Sequence, residues 1–199
     1  MARGERPTLT ERRAEELRVA IAHKAKEIFV ADGDTSATVE RIAEAAGVSP
    51  RTFHRHFPVK EDVVRPLFRA TSEWVADSLK NVADTEDLVE ALVAAWTSAM
   101  PGGRLSEADQ RFLELMVTTP QYRLRWQEAD QELCEVVADF LDRRLPVGAH
   151  PLHRTLPAYL VVHATRHVFE HWITSGCHED LTGLLRDALR MVLAGAAVR

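Results

Sequence analysis

The stretch TVERIAEAAGVSPRTFHRHFPVKEDVV, residues 38–64, decides the fold of this chain. Two short runs with apolar residues at helical spacing flank Gly47, and Thr38 and Ser49 stand where N-capping hydroxyls are expected. Pro50 follows Ser49 at the first helical position, where its missing N–H costs nothing. The stretch therefore predicts two short helices joined by a tight turn, the layout of a helix-turn-helix.

The second of these helices has an apolar side and a polar side. Phe53 and Phe57 are suited to pack on a scaffold, whereas the polar side is suited to reach phosphates and base edges of DNA. The preceding helix N-terminus is suited to a phosphate contact. The DNA-contacting candidates are Thr38, Ser49, Arg51, Thr52, His54, Arg55, His56 and Lys60. A solvated basic helix without a nucleic-acid role is the alternative interpretation.

The charge of the chain is unevenly distributed. The net charge is -5, but residues 1–60 contain 11 Lys/Arg against 9 Asp/Glu, and Gly47 to Lys60 contains no acid. A local cationic surface on an acidic chain favours a phosphate partner. Arg3 and Arg6, in an N-terminal arm, are candidates for a minor-groove contact, with a solvated terminus as the alternative.

The remaining sequence also predicts helices, because apolar residues recur at spacings of three and four. We expect an all-α protein with an N-terminal three-helix DNA-binding domain over residues 1–60 and a C-terminal helical ligand-binding and dimerisation domain over 61–199. A first helix should end near Gly33, and a fourth helix, over about 60–81, should be bent at Pro66. The later helices are predicted from Asp84 to a break at MPGG (100–103), and over about 106–117, 121–144, 157–175 and 181–198.

Composition excludes several classes of protein. Hydrophobic residues make up 46% of the chain, enough for a substantial core. No apolar run has the length of a signal peptide or of a membrane span. We expect a cytoplasmic protein with no membrane partner, and Cys134 and Cys177 as two buried thiols, with redox sensing as a minor alternative.

The quoted stretch resembles the N-terminal signature of the TetR family of bacterial transcriptional regulators. The resemblance covers residues 12–65 and implies an all-helical homodimer that binds a double-stranded DNA operator and encloses a small-molecule effector. It also implies DNA contacts for several of the candidates above. The residues at the family's spacing are Thr38, Ile42, Ala43, Ala46, Gly47, Val48, Ser49, Phe57 and Lys60.

Two positions depart from the family pattern. His54 stands where the family usually has tyrosine, and Val59 replaces the usual capping serine or asparagine before Lys60. If His54 or His56 contacts phosphate as imidazolium, operator affinity should fall as the pH rises through roughly 6 to 7.5.

The C-terminal region is rich in bulky apolar and aromatic residues. Such residues suit a pocket for a hydrophobic or amphipathic effector. The predicted pocket residues are Trp96, Phe112, Met116, Trp126, His163 and His167. Apolar rows on the last two predicted helices, for example Leu156, Leu160, Leu185 and Leu189, are the expected dimer face.

The segment HATRHVFEH, residues 163–171, repeats histidine every four residues. Two such imidazoles can share a Zn²⁺ ion, but three along a helix span about 12 Å. A helical metal-binding protein or metalloenzyme using His163, His167, His171 and Glu170 is therefore the alternative to a regulator. No HExxH motif and no nucleophile–base pattern accompany it. The favoured interpretation is a repressor released by its effector, with no enzymatic activity, cofactor or bound metal; an effector-free architectural DNA-binding protein is a third possibility.

Overall fold

The computed structural model of the chain describes residues 8–82, 87–98, 100, 104–145 and 150–196. Across these residues the chain forms nine α-helices, one short 3₁₀ helix and no β-strand, which confirms the all-α prediction. The α-helices are α1 (Leu9–Asp32), α2 (Val39–Ala45), α3 (Pro50–His56), α4 (Arg65–Asn81), α5 (Leu88–Thr97), α6 (Glu107–Thr118), α7 (Pro120–Asp142), α8 (Pro151–Thr174) and α9 (Leu181–Ala196).

The chain divides into two compact units, and the boundary lies between Leu67 and Phe68. The first unit extends seven residues beyond the boundary expected at Lys60, because the 3₁₀ helix Lys60–Val64 packs on α1 and buries Val63 and Val64. The boundary therefore falls within the first turn of α4, so this helix is the covalent link between the two units.

Helix ends in the first unit follow the caps that the sequence predicts. Thr38 and Ser49 are the N-caps of α2 and α3, and Pro50 is the first residue of α3. Gly33 ends α1 at φ +74°, and Gly47 has φ +68° in the turn between α2 and α3. Glycine adopts this left-handed region with little strain, which confirms its predicted role at both positions.

The predicted fourth helix consists of two elements in the structure. Lys60–Val64 is a 3₁₀ helix, and α4 begins only at Arg65. Pro66 therefore lies in the first turn of α4, where an N–H has no intrahelical acceptor to lose. The expectation of one helix over 60–81, bent at Pro66, is corrected to two helical elements with Pro66 near the start of the second.

The second unit has its core where α5, α7, α8 and α9 meet. Its fully buried members come from all four helices. They include Leu92, Val137, Phe140, Leu141, Val161, Leu185 and Leu189. Within the described residues, no helix combines the length and the hydrophobicity that a membrane crossing requires.

Helix α8 begins six residues earlier than predicted. His150 caps it, its Nδ1 accepting the Leu152 N–H at 3.2 Å, and Pro151 is the first helical residue. Pro157 therefore lies inside α8 rather than at its start, at the cost of one backbone hydrogen bond. The burial of Ala158 and the apolar residues after it offsets that cost.

Some predicted features lie outside the described residues. They are the arm with Arg3 and Arg6, the helix start at Asp84, and residues 101–103 of the break at MPGG. In the described part, α5 begins at Leu88 with Asp87 as its N-cap.

Candidate DNA-binding surface and effector region

Helix α3 is anchored to the first unit by its apolar side. Phe53 is fully buried and Phe57 is 2% exposed, with ring centroids 5.2 Å apart. The Val48 N–H donates to the Ala43 carbonyl at 2.9 Å, which closes the turn between α2 and α3. Because the turn and the aromatic anchors fix its rotation, α3 presents a defined set of side chains outward.

The outward side of α3 is cationic. Arg51, His54 and Arg55 are exposed, and none of them forms an ion pair with another residue in the part of the chain that the structure describes. Other cations of the same unit are neutralised, such as Arg41, which pairs with Asp32. The exposed α3 side chains are therefore available to phosphates and base edges.

The predicted hydroxyl contacts sit at the helix ends. Thr38 Oγ1 accepts the Arg41 N–H at 3.3 Å, and Ser49 Oγ accepts the Thr52 N–H at 3.1 Å. Ser49 Oγ and Thr52 Oγ1 are also 3.0 Å apart, within hydrogen-bond distance. These hydroxyls define the starts of α2 and α3; whether they also contact phosphate stays a prediction.

Lys60 points into the first unit rather than freely outward. Its Nζ donates to the Thr35 carbonyl at 2.9 Å and to the Ala37 carbonyl at 3.2 Å. The side chain thereby holds the connection between α1 and α2. At most one N–H of Lys60 therefore remains for the predicted phosphate contact. The role that the structure shows for Lys60 is to stabilise the first unit.

Replacing Lys60 with Ala should loosen the connection between α1 and α2, because two carbonyls lose a charged donor, at a cost of about 1–3 kcal/mol. Hydrogen exchange of the α2 backbone amides should become faster. Lys24→Ala is the matched control, since Lys24 pairs with the exposed Glu27 three residues away. Unchanged α2 protection in Lys60→Ala would contradict this role.

His56 differs from His54 in its surroundings. It is half-buried, and its Nε2 is buried without a hydrogen-bond partner among the residues that the structure describes. Burial, followed by the positive charges of Arg18 and Arg55, lowers the pKa of His56 below its ordinary value of 6.5. His56 is therefore a neutral imidazole near pH 7, and the pH-dependent phosphate contact stays a prediction for the exposed His54.

An aromatic stack lies in the second unit. Phe68 of α4 stacks on Trp126 of α7, with centroids 5.2 Å apart and ring planes 7° apart, and Phe68 also lies 6.3 Å from Phe112 of α6. The structure thus brings two of the predicted pocket residues, Phe112 and Trp126, next to Phe68.

The other predicted pocket residues are distributed differently. Trp96 and Met116 are buried at 8% and 0% exposure, whereas His163 and His167 are exposed on α8. The two histidines are therefore exposed to solvent, whereas Trp96 and Met116 are buried in the second unit. A cavity of about 440 Å³ lies beside the α8–α9 connection instead. Its described lining includes Arg104, Gln110, Trp172, Cys177, His178 and Thr182 and contains none of the predicted pocket residues.

A buried charge cluster adjoins the aromatic stack. Arg166 of α8 donates through Nε to Asp130 Oδ2 of α7 at 2.7 Å, and Nη2 donates to the same oxygen. The guanidinium carbon lies 4.0 Å from the centroid of the Trp126 ring. Burial raises the pKa of Asp130 to about 6, although the charge of Arg166 acts in the opposite direction.

Sequence reasoning missed Arg166 and Asp130. The available signal was that Arg166 falls on the same face of α8 as the buried Val162 and Ile173. A charged residue on a buried face requires a buried partner. The sequence around Arg166 does not identify that partner, which lies 36 residues earlier on α7.

The described residues do not assemble the metal site that the histidine spacing suggested as an alternative. In the described ranges, no group of three or more His, Cys, Asp or Glu side chains is placed to hold a metal ion. His171 Nε2 instead lies 3.0 Å from Glu179 Oε1, within hydrogen-bond distance, and His163 is 6.2 Å from the Tyr159 ring.

The two cysteines are unpaired. Cys134 is buried and Cys177 is half-buried. Burial raises the pKa of Cys134 to about 11, so its thiol is protonated at neutral pH and is not a reactive thiolate.

Two family models match the chain. Residues 21–67 match the bacterial regulatory proteins of the tetR family. Residues 85–197 match the MftR C-terminal domain. Together the two matches cover α2, α3 and all of the helices of the second unit from α5 to α9.

Named relatives are also transcriptional regulators. The HTH-type transcriptional regulator TcmR of Streptomyces glaucescens is 31% identical over an alignment of 143 residues that covers 66% of this chain and 63% of TcmR. The chain therefore spans less than two thirds of the length of TcmR. The putative mycofactocin biosynthesis transcriptional regulator MftR of Mycobacterium tuberculosis is 25% identical over 179 residues, 88% of each chain.

A solved structure shares the fold. FadR of Thermus thermophilus, a TetR family transcriptional repressor in complex with lauroyl-CoA, superposes with a TM-score of 0.68 at 23% identity. The superposition covers 92% of this chain and 96% of that one.

Proposed function

Because the chain belongs to the tetR family of bacterial regulatory proteins, we propose that it is a ligand-responsive repressor. It binds a DNA operator as a homodimer, and a hydrophobic or amphipathic small molecule releases it. It acts by binding rather than by catalysis.

The observation that carries this proposal is the cationic side of α3. Arg51, His54 and Arg55 are exposed and without acidic partners in the described chain, while Phe53 and Phe57 fix the helix from behind. Arginine is the side chain best suited to bidentate contact with guanine in the major groove. We assign base reading to Arg51 and Arg55 and backbone contact to His54.

Homodimerisation is assigned to the exposed apolar residues of α8 and α9. Leu185 and Leu189, expected on the dimer face, are instead buried in the core of the second unit. Leu152, Leu156, Tyr159 and Leu160 lie on one side of α8 at 39–52% exposure, and Met191 of α9 is 76% exposed. Apolar rows of this kind are covered in helical dimers. A twofold axis through this face presents two copies of α3, which suits an operator with twofold symmetry.

Effector binding is assigned to the interior of the second unit. The aromatic stack of Phe68, Phe112 and Trp126 supplies apolar surface, and the buried Arg166 supplies a polar group. The lauroyl-CoA bound to the Thermus thermophilus repressor is an amphipathic molecule, which is consistent with an effector of that class. The effector prefers a conformer whose recognition helices no longer match the operator, and it shifts the population through α4.

Native mass spectrometry of the purified chain, followed by identification of any released small molecule, tests this proposal. Adding the identified molecule back should weaken operator binding about 5- to 150-fold, the usual range for coupled sites. A molecule that binds the second unit and leaves operator affinity unchanged would contradict effector control.

A further inference from the structure

The cavity of about 440 Å³ beside the α8–α9 connection has no part in the proposed function. Part of its lining comes from Arg104 and Leu105, which precede α6, and from Gln110 of α6. The rest comes from Trp172 of α8 and from residues 176–182, which span the connection and the start of α9. Small-molecule sites usually have volumes of about 300–1,000 Å³, so this cavity has room for a molecule of amino-acid size.

Hydrogen bonds hold the α8–α9 connection in place. The Cys177 N–H donates to the Trp172 carbonyl at 2.9 Å, and Trp172 Nε1 donates to the Glu179 carbonyl at 3.0 Å. Glu179 Oε1 accepts from Ser175 Oγ at 3.2 Å and lies 3.0 Å from His171 Nε2. The connection is therefore formed before any ligand binds, which lowers the cost of ordering the site on binding.

The lining contains both buried apolar residues and exposed charged ones. Trp172 and Leu181 are 4% and 5% exposed, and Leu105 is half-buried. Arg104 and Asp180 are exposed. The apolar residues suit a hydrocarbon group of a ligand, and the charged residues suit its polar groups.

Arg104 and Asp180 carry opposite charges and come from different segments of the chain. Within the described residues, neither side chain forms a hydrogen bond or an ion pair. Glu179, which contacts the end of α8, and His178 complete the charged lining. The cavity thus offers one cation and one carboxylate that no other described side chain occupies.

Two further charges act near the cavity. Glu114 of α6 acts electrostatically on Cys177, and Arg186 of α9 interacts with the charge of Asp180. The Arg186 guanidinium is already bonded to both carboxylate oxygens of Glu90. Carboxylates therefore outnumber the cations, which disfavours a ligand that has only a carboxylate. A ligand that also has an ammonium group adds no net negative charge.

We propose that this cavity is a second small-molecule site and that it binds an α-amino acid with an apolar side chain. The ligand carboxylate pairs with Arg104, and its ammonium group pairs with Asp180. Its side chain lies against Leu105, Trp172 and Leu181. The inference goes beyond the proposed function, because the described lining includes no residue of the aromatic stack.

Three probes of similar shape test the site: L-phenylalanine, phenethylamine and 3-phenylpropionate. L-phenylalanine has both charges, whereas phenethylamine has only the ammonium group and 3-phenylpropionate only the carboxylate. The 199-residue chain should bind L-phenylalanine about fivefold or more tightly than either analogue, because each analogue leaves Arg104 or Asp180 without its partner.

Nuclear magnetic resonance titration without DNA measures these affinities and also locates the probe. The chain has four tryptophans, so the indole N–H signals are few. The signal of Trp172, in the cavity lining, should shift on binding more than that of Trp126, in the aromatic stack.

Charge variants should change the two preferences separately. Asp180→Asn keeps a side chain that can cap α9, and it should remove the preference for L-phenylalanine over 3-phenylpropionate only. Arg104→Gln should remove the preference over phenethylamine only. Asp187→Asn and Arg190→Gln, at exposed positions of α9 outside the lining, are the matched controls and should keep both preferences. If Asp180→Asn loses helix content, Asp180→Ser takes its place.

Several results would overturn the site. They are no saturable shift of the Trp172 signal with L-phenylalanine, equal affinity for the three probes, a larger shift at Trp126 than at Trp172, or preferences that survive in the Asp180 and Arg104 variants. Because these titrations contain no DNA, they leave the proposed function to be judged separately by operator release.

Discussion

The Asp130→Ala variant should lower the free energy of unfolding by about 3–5 kcal/mol, because it leaves the buried Arg166 guanidinium without its acceptor. Asp130 Oδ2 accepts from both Nε and Nη2, and the Arg166 side chain is 6% exposed. A loss of this size is a large part of the stability of an ordinary domain. Urea denaturation followed by circular dichroism measures it.

A matched control exists on the same helix. Asp139 also pairs with an arginine of α8, Arg154, but its side chain is 62% exposed. Asp139→Ala should therefore cost much less than Asp130→Ala. Removing both buried charges, as in Asp130→Ala with Arg166→Met, should recover much of the loss, since no charge is then stranded. Equal costs for the two single variants would contradict the buried role of Asp130.

The Arg51→Ala variant should weaken operator binding about 10- to 100-fold and relax the sequence preference at the base that Arg51 reads. Arg51 lies in the first turn of α3, is exposed and has no acidic partner in the described chain. Its removal costs no internal contact, so the loss belongs to DNA binding. Fluorescence anisotropy with the operator and with single-base variants, at constant ionic strength, measures both effects.

Arg111→Ala controls for the loss of one positive charge. Arg111 is an exposed arginine of α6 that pairs with Glu107. The Arg111→Ala variant should leave both the operator affinity and the sequence preference almost unchanged. An Arg51→Ala protein that binds every duplex as the wild type does would remove Arg51 from the DNA-binding surface.

The ends of the short helices were predictable because capping is a local interaction. Thr38 and Ser49 accept hydrogen bonds from backbone N–H groups three residues away, and the turn at Gly47 depends on the positive φ angle of that residue. The same locality explains why the short helices α2 and α3 were placed correctly from the sequence. The 3₁₀ helix at Lys60–Val64 was missed because the spacing of apolar residues does not separate a short 3₁₀ turn from the start of an α-helix.

The effector region was less predictable, because helical spacing alone does not identify what faces each side chain. Trp126 and Phe112 share a neighbour, Phe68, that lies on α4, far away in the sequence, so no spacing rule could include it. His163 and His167 were selected for their regular spacing, and the described chain leaves both exposed. Arg166, between them, carries the buried polar chemistry.

Selection from a random pool of DNA duplexes with the 199-residue chain tests whether α3 reads an operator as part of a dimer. We expect enrichment of a sequence with twofold symmetry, with half-sites about one helical turn or more apart. We also expect binding that weakens steeply with salt. Failure of the wild type to enrich any sequence, or enrichment of the same sequence by Arg51→Ala at equal affinity, would contradict operator reading by α3.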